Sequence, residues 1–240
     1  KGMLMAVLAD GMGGHSGGAM AAEQVVMKAR DNFEAYAPAV ETPEDLLRSV
    51  VEEAHVVIKL TRFTTEQDPH STACVLLMQS GRVDWAHCGD SRIYHFRHDK
   101  RVAISQDHSL VGELIRQGRL DEEGAKTHPQ RNLLLHCLGA QKEPMIDYGG
   151  ATDLADGDSF LICSDGLWAY FSDEEIGGVL SVFSAREAAE TLIKRARDRG
   201  RPTGDNVSLI LIKLIVVEAR EKAERERLDS ARRKLGSMKD

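Results

Sequence analysis

Several protein classes are excluded by what the sequence lacks. It has four cysteines in 240 residues, Cys74, Cys88, Cys137 and Cys163, and no two form a C-x-x-C pair. The usual spacing of zinc clamps and dithiol redox sites is therefore missing. Three of the four sit in apolar, strand-like runs, which reads as small core residues in a reducing compartment. Cations are also scarce: 31 Lys and Arg face 38 Asp and Glu, for a net charge of −7. A nucleic-acid binder needs a basic face to displace counterions, and an anionic membrane surface makes the same demand. The longest apolar run, residues 207–217, is broken by Ser208 and Lys213 and is too short to span a bilayer. The chain opens Lys-Gly-Met-Leu-Met-Ala-Val-Leu and reaches Asp10 without a leader-like pattern, so a cytoplasmic location is expected.

What is present is ordinary for a globular protein: 42% hydrophobic and 29% charged residues, in a chain long enough for one large domain or two small ones. Residues 3–9 have strand length and apolar character and end at Asp10-Gly11-Met12-Gly13-Gly14. Val25, Val26, Ala29 and Phe33 carry helical spacing over residues 18–36. A second helix opens with Thr42 as cap, Pro43 in the first turn and Asp45 completing the box. Its apolar stripe runs from Leu46 through Ile58.

From residue 71 the period changes to that of strands. Residues 72–79 and 82–88 flank Ser80-Gly81 as a hairpin, and residues 92–97 and 101–104 form another around His98-Asp99-Lys100. A short helix is expected over residues 107–119, then an irregular stretch through Gln141. Strands return at 159–164 and 206–217, separated by two helices with boxes Ser172-x-x-Glu175 and Ser184-x-x-Glu187. Elements segregated in this way predict an α+β fold with largely antiparallel pairing. Residues 1–217 read as one domain. Residues 218–240 read as a charged helical tail with i,i+4 pairs such as Glu218/Lys222 and Glu221/Arg225.

The glycine-rich stretch 11–18 follows a strand and precedes a helix, so phosphate-cradling motifs come first. From Gly11 and Gly13 the third position of G-x-G-x-x-G is Ser16, and no lysine occurs before Lys28 to complete a P-loop. Both motifs fail. What remains is an aspartate at a strand end, and the arrangement recurs: Asp165-Gly166 after 160–164, Asp90 after 83–89, and Asp205-Asn206 before the last strand. Each alone has a plainer reading as a turn or cap residue. Together, Asp10, Asp165 and Asp205 are expected to converge on a hard divalent cation, which would remove their mutual repulsion. Oxygen ligands favour Mg²⁺ or Mn²⁺ over Zn²⁺.

Six segments then resemble one family. They are Asp10-Gly-Met-Gly-Gly-His15, Gly89-Asp90-Ser-Arg92-Ile-Tyr94, Asp107-His108-Ser109, His128-Pro129-x-Arg131-Asn132, Ser164-Asp165-Gly-Leu-Trp168 and Gly204-Asp205-Asn206-Val-Ser. In order and spacing, across residues 3–214, they are similar to the bacterial form of the metal-dependent protein serine/threonine phosphatases of the PP2C (PPM) type. The resemblance implies a four-layer α-β-β-α sandwich of two antiparallel sheets flanked by helices. It also implies two Mn²⁺ or Mg²⁺ ions, with a third as a weaker addition. By matching positions, Asp10 would bridge two ions, Gly11 would offer its carbonyl, and Asp165 and Asp205 would complete one shell. Asp107 would serve the third ion, with Asp90 as an accessory. His15 would be a proton donor or a helix cap, and Asn206 would stand beside the metal shell. Asp107, His108, His128 and Arg131 would belong to the substrate flap. Substrates would be phosphoserine and phosphothreonine proteins, with a bacterial Ser/Thr kinase as the opposing enzyme.

Two departures accompany the match. Met12 stands where other members carry a candidate general acid, and thioether sulfur transfers no proton. The family's phosphate-gripping arginine and first acidic pair would precede residue 3, and upstream residues missing from this sequence are the expectation. A non-catalytic signalling module that keeps the fold is the alternative reading, and a nucleotide-binding glycine loop the third.

Overall fold

The computed structural model describes residues 2–64, 67–200 and 204–215, excepting the His15 side chain. Strand β1 (Leu4–Leu8) and the two-residue β2 (Gly11–Met12) lead into helices α1 (His15–Ala35) and α2 (Pro43–Thr61). Strands β3 (His70–Ser71), β4 (Ala73–Gln79), β5 (Arg82–Cys88), β6 (Arg92–Arg97) and β7 (Lys100–Ile104) follow, then α3 (Leu110–Arg116) and α4 (Glu122–Thr127). The remainder is β8 (Asp147–Ala151), β9 (Asp158–Cys163), α5 (Asp165–Trp168), α6 (Asp173–Val182), α7 (Ala185–Gly200) and β10 (Leu209–Lys213).

Eight strands make two four-stranded sheets, ordered β1-β4-β5-β8 and β10-β9-β6-β7, and β2 pairs with β3, with every ladder antiparallel. Alternation along each strand builds the layers. Cys74 and Leu76 of β4, Val83 and Trp85 of β5, Ile93 of β6, and Phe160 and Ile162 of β9 pack together between the sheets. Their neighbours Ala73, Val75 and Leu77 turn the other way, onto Val25, Leu47, Val50 and Ile58 of α1 and α2. Tyr94, Phe96, Leu161 and Cys163 likewise face Leu167, Ile176 and Leu192 of α5 to α7. Strands covered on both faces read as unbroken apolar runs, as in Cys74-Val-Leu-Leu and Phe160-Leu-Ile-Cys. The result is the expected four-layer α-β-β-α sandwich.

Local signals position these layers. Thr42 accepts from the Asp45 amide (3.1 Å) while the Asp45 carboxylate accepts from the Thr42 amide (3.3 Å), closing the α2 box on both sides. Ser172 and Glu175 do the same for α6, and Ser184 and Glu187 at the start of α7. One polar cluster penetrates the sandwich: buried Asp158 holds Arg97 at 2.8 and 3.1 Å, the Ala155 amide at 2.8 Å, and His95 at 3.2 Å.

The structure departs from the sequence reading in the middle third. The helix expected over 107–119 is only Leu110–Arg116, because Ser109 is extended and caps it by accepting from the Gly112 amide. The irregular stretch contains α4, capped by Asp121. Strand β8, with two glycines in five residues and no apolar alternation, carries little strand signal of its own; it exists because β5 supplies a ladder from Val83↔Ala151 to His87↔Asp147. The charged tail expected from residue 218 lies outside the described residues.

Leu76 is fully buried between the sheets, whereas Val26 of α1 is half exposed. Leu76→Ala should therefore lower unfolding free energy by about 2–5 kcal/mol. Val26→Ala should change it by less than about 0.5 kcal/mol. Urea denaturation followed by far-UV circular dichroism distinguishes the two.

Candidate metal centre

The strand registers bring every acidic motif to one end of the sandwich. Leu8 pairs with Cys74 and Ala73 with Cys88, so Asp10 and Asp90 emerge from the first sheet at the same edge. Cys163 pairs with both Arg92 and Leu209, so Asp165 emerges and Asp205 enters at the corresponding edge of the second. The connection Gly89-Asp90-Ser91 carries the chain from one sheet to the other there. Backbone ties fix the loops: the Thr72 amide donates to the Asp10 carbonyl (2.9 Å), and the Asp10 amide donates to Thr72 Oγ1 (3.0 Å). Thr72 Oγ1 in turn lies 2.8 Å from Ser91 Oγ. Trp168 donates its indole N–H to the Asp90 carbonyl (2.9 Å). Ser164 receives the Ser208 amide (3.2 Å), tying the Asp165 loop to the Asp205 loop.

The glycines that failed the nucleotide motifs have a packing role. A Cβ on Gly11 would stand 1.9 Å from the Gly18 carbonyl oxygen, and one on Gly18 would stand 2.6 Å from that of Gly11. The loop and the first turn of α1 touch backbone to backbone, holding the Gly11 carbonyl beside Asp10. Gly11 and Met12 also pair with Ser71 and His70.

Electrostatics agree with a cation site. Burial pushes the Asp10 carboxyl up to about 6, with Asp165 and Asp205 adding repulsion. Asp90 rises to about 7, first from burial and then from Asp165, Asp107 and Asp10. Asp165 is raised as well, by burial and then Asp205. No lysine or arginine among the described residues relieves Asp10, Asp90 or Asp165. Carboxylates gathered, partly buried and left without cations fit hard divalent ions, and they fit a nucleic-acid or anion site badly.

Asp107 is different. Arg92 grips it with two hydrogen bonds, at 2.9 and 2.8 Å. The guanidinium also stacks 3.6 Å over the Trp168 ring and donates to the Tyr94 hydroxyl (3.1 Å). His108, which the sequence grouped with the flap, is buried and does not face solvent. His128 and Arg131 do lie in the surface loop after α4, where His128 accepts the Gln130 amide and Arg131 donates to the Lys126 carbonyl. A cleft of about 540 Å³ opens in this loop, lined by residues 127–133 and by none of the aspartates. Asn206 is exposed, its amide donating to Asp205 Oδ1 (2.7 Å). The His15 side chain lies outside the described residues.

Sequence reasoning missed two groups. His70 is the register partner of Met12, so an imidazole does stand next to the position that lacks a proton donor. Only the β2–β3 pairing, absent from local pattern, reveals it. The second group is His87, His108 and Asp147, whose ligand-type atoms all lie within 4.8 Å of one another. Asp10, Asp165 and Asp205, expected to converge on a cation, do not meet that spacing among the described residues.

Comparison with known proteins matches residues 1–203 to the family model described as protein phosphatase 2C. The chain is 33% identical over 222 residues to protein phosphatase PhpP of Streptococcus pneumoniae, covering 89% of this chain and 87% of that protein. The solved serine/threonine phosphatase of S. agalactiae superimposes with a TM-score of 0.80 at 29% identity, over 89% of this chain and 88% of that one. The catalytic domain of the serine/threonine protein phosphatase PstP in complex with two manganese ions gives 0.73 at 28% identity, over 88% of each chain.

The raised carboxyls have a measurable consequence. They hold protons more tightly folded than unfolded, where the ordinary value is 3.8. Their contribution to stability is present below that value and is lost as pH rises through about 6 for Asp10 and about 7 for Asp90. The melting temperature of metal-free protein should therefore fall from about pH 5 to pH 8, and Mn²⁺ should remove most of the fall. Mn²⁺ affinity, read by calorimetry, should rise over the same interval as protons leave. A flat affinity profile would contradict the assignment.

Proposed function

The chain belongs to the protein phosphatase 2C family, and on that premise we propose that it hydrolyses phosphoserine and phosphothreonine in proteins with Mn²⁺ or Mg²⁺ held by Asp10, the Gly11 carbonyl, Asp165 and Asp205. The observation that carries the reading is the ring of partly buried carboxylates without cationic partners at one end of the sandwich. When bound, the ions would supply a water of lowered pKa and positive charge for the phosphoryl oxygens. The protein's own part is to fix the carboxylates on strand ends, so that no reorganisation accompanies charge development. Backbone ties at Thr72, Ser164 and Trp168 serve that purpose.

Asp90 stands in the same ring as an accessory acid. Asp107 is secondary, since a third ion there must compete with Arg92 for the same two oxygens. The loop carrying His128 and Arg131 would meet the polypeptide around the phosphoresidue, its exposed cation suiting an anionic substrate. A bacterial Ser/Thr kinase would supply the phosphoproteins, and a cytoplasmic site would suit that pairing. The Cys163 thiol is fully buried and pushed up to about 12 by that burial, which disqualifies it as a thiolate nucleophile.

With a phosphothreonine peptide and Mn²⁺, Asp10→Asn and Asp165→Asn should each lower kcat by about two orders of magnitude or more, the scale of losing one electrostatic stabiliser. Cys163→Ser should keep turnover within about threefold, because the residue only packs. Equal rates in wild type and the two aspartate variants would leave the non-catalytic module as the better reading.

A further inference from the structure

The group His87, His108 and Asp147 has the composition of a metal site, with both His87 ring nitrogens buried and unpartnered, but one backbone hydrogen bond gives His108 another role. The Gly89 amide donates to His108 Nδ1 (3.2 Å). A neutral imidazole whose Nδ1 accepts carries its proton on Nε2. That nitrogen lies 3.1 Å from Asp147 Oδ2, a close ion-pair contact without hydrogen-bond alignment, and with its proton in place it offers no lone pair to a cation. Metal-bound histidines show the reverse, giving their second N–H to an oxygen. The His108 amide also donates to the Gly89 carbonyl (2.8 Å), so one residue grips Gly89 from both sides.

The placement explains why such a grip is useful. Gly89 has a φ of 111°, a backbone conformation that nothing but glycine adopts readily, and it precedes Asp90 in the crossing between sheets. Asp90 is held only through its backbone: no side-chain hydrogen bond to its carboxyl is seen among the described residues, and its carbonyl accepts from the Trp168 indole. Trp168 holds the far side of Asp90, and His108 holds the near side. His108 is itself wedged against the His87 ring (4.8 Å between centroids) at the end of the inter-sheet layer. Asp147 stands on β8 directly opposite His87 and reaches the same ring.

We propose that Asp147 is a positioning residue for the metal centre: through His108 it fixes the Gly89-Asp90 loop, and so the shape of the carboxylate ring that the ions enter. The inference rests on the metal-dependent phosphatase reading and adds β8, a strand remote in sequence, to that site.

The test uses the full chain and reads Mn²⁺ affinity by electron paramagnetic resonance beside kcat on the phosphothreonine peptide. Asparagine can place its side-chain oxygen where Nδ1 lay, whereas glutamine reaches the Nε2 position and leaves the Gly89 amide without an acceptor. His108→Gln and Asp147→Ala should each weaken Mn²⁺ binding and lower kcat by about tenfold, the lower end for residues that orient metal ligands. His108→Asn keeps an acceptor for the Gly89 amide but loses the Asp147 contact, so it should match the Asp147→Ala loss, and adding Asp147→Ala to it should change affinity by less than about threefold. Apo-protein melting curves provide the structural control: losses of affinity without a matching drop in melting temperature support the proposal. Wild-type affinity in Asp147→Ala overturns it, as does a further loss of about tenfold when Asp147→Ala is added to His108→Asn. A Zn²⁺ site that survives Asp10→Asn but vanishes in His87→Ala also overturns it, making the group ligands and not supports. If wild type itself neither binds Mn²⁺ nor hydrolyses the peptide, the phosphatase reading fails first.

Discussion

Repulsion among carboxylates is the constraint on which this structure depends. Asp10, Asp90, Asp165 and Asp205 come from four separate segments of the chain, and bringing them together opposes folding. Two packed sheets supply the force that overcomes this, through Leu76, Phe160, Ile162 and Trp85 between them and a helical layer on either side. The acids pay no separate structural role back; their loops are instead held by neighbours with no charge to offer, chiefly Thr72, Ser164 and Trp168. Neutral ties preserve the negative field, and the field is what selects a divalent cation.

Arg92 is the instructive exception. It enters the same end of the sandwich but is consumed by Asp107, Tyr94 and the face of Trp168. Because the guanidinium is committed on several sides, it neutralises one carboxylate at the margin and leaves the other four alone. The site thus has a graded composition, from Asp90, buried and opposed by three other aspartates, to Asp107 already paired.

Much of this was legible in the sequence. Capping residues Thr42, Ser172 and Ser184 marked helices that the structure contains, and the unbroken apolar runs of β4 and β9 belong to strands covered on both faces. The strand-end aspartates were visible because Asp-Gly after an apolar run is a local pattern. What was hidden depends on pairing. Asp147 lies in a strand formed by its partner and not by its own residues, and His70 gains meaning only opposite Met12. His108 was grouped with the substrate flap through its motif, whereas its ring is buried and accepts from the Gly89 amide, nineteen positions earlier. Periodicity reports which face a residue occupies, and it carries no information about which distant backbone amide will claim a side chain.

The burial of the thiols carries a consequence for oxidative stress. Cys74, Cys88 and Cys163 are sealed in the layers, and burial raises all three well above the range where thiolate forms. Peroxide attacks thiolate, and phosphatases that depend on a cysteine nucleophile lose activity when it becomes a sulfenic acid. A carboxylate ring offers no such target. Signals erased by this protein would go on being erased in an oxidising burst, and the supply of divalent metal, more than the redox poise of the cell, would set its output.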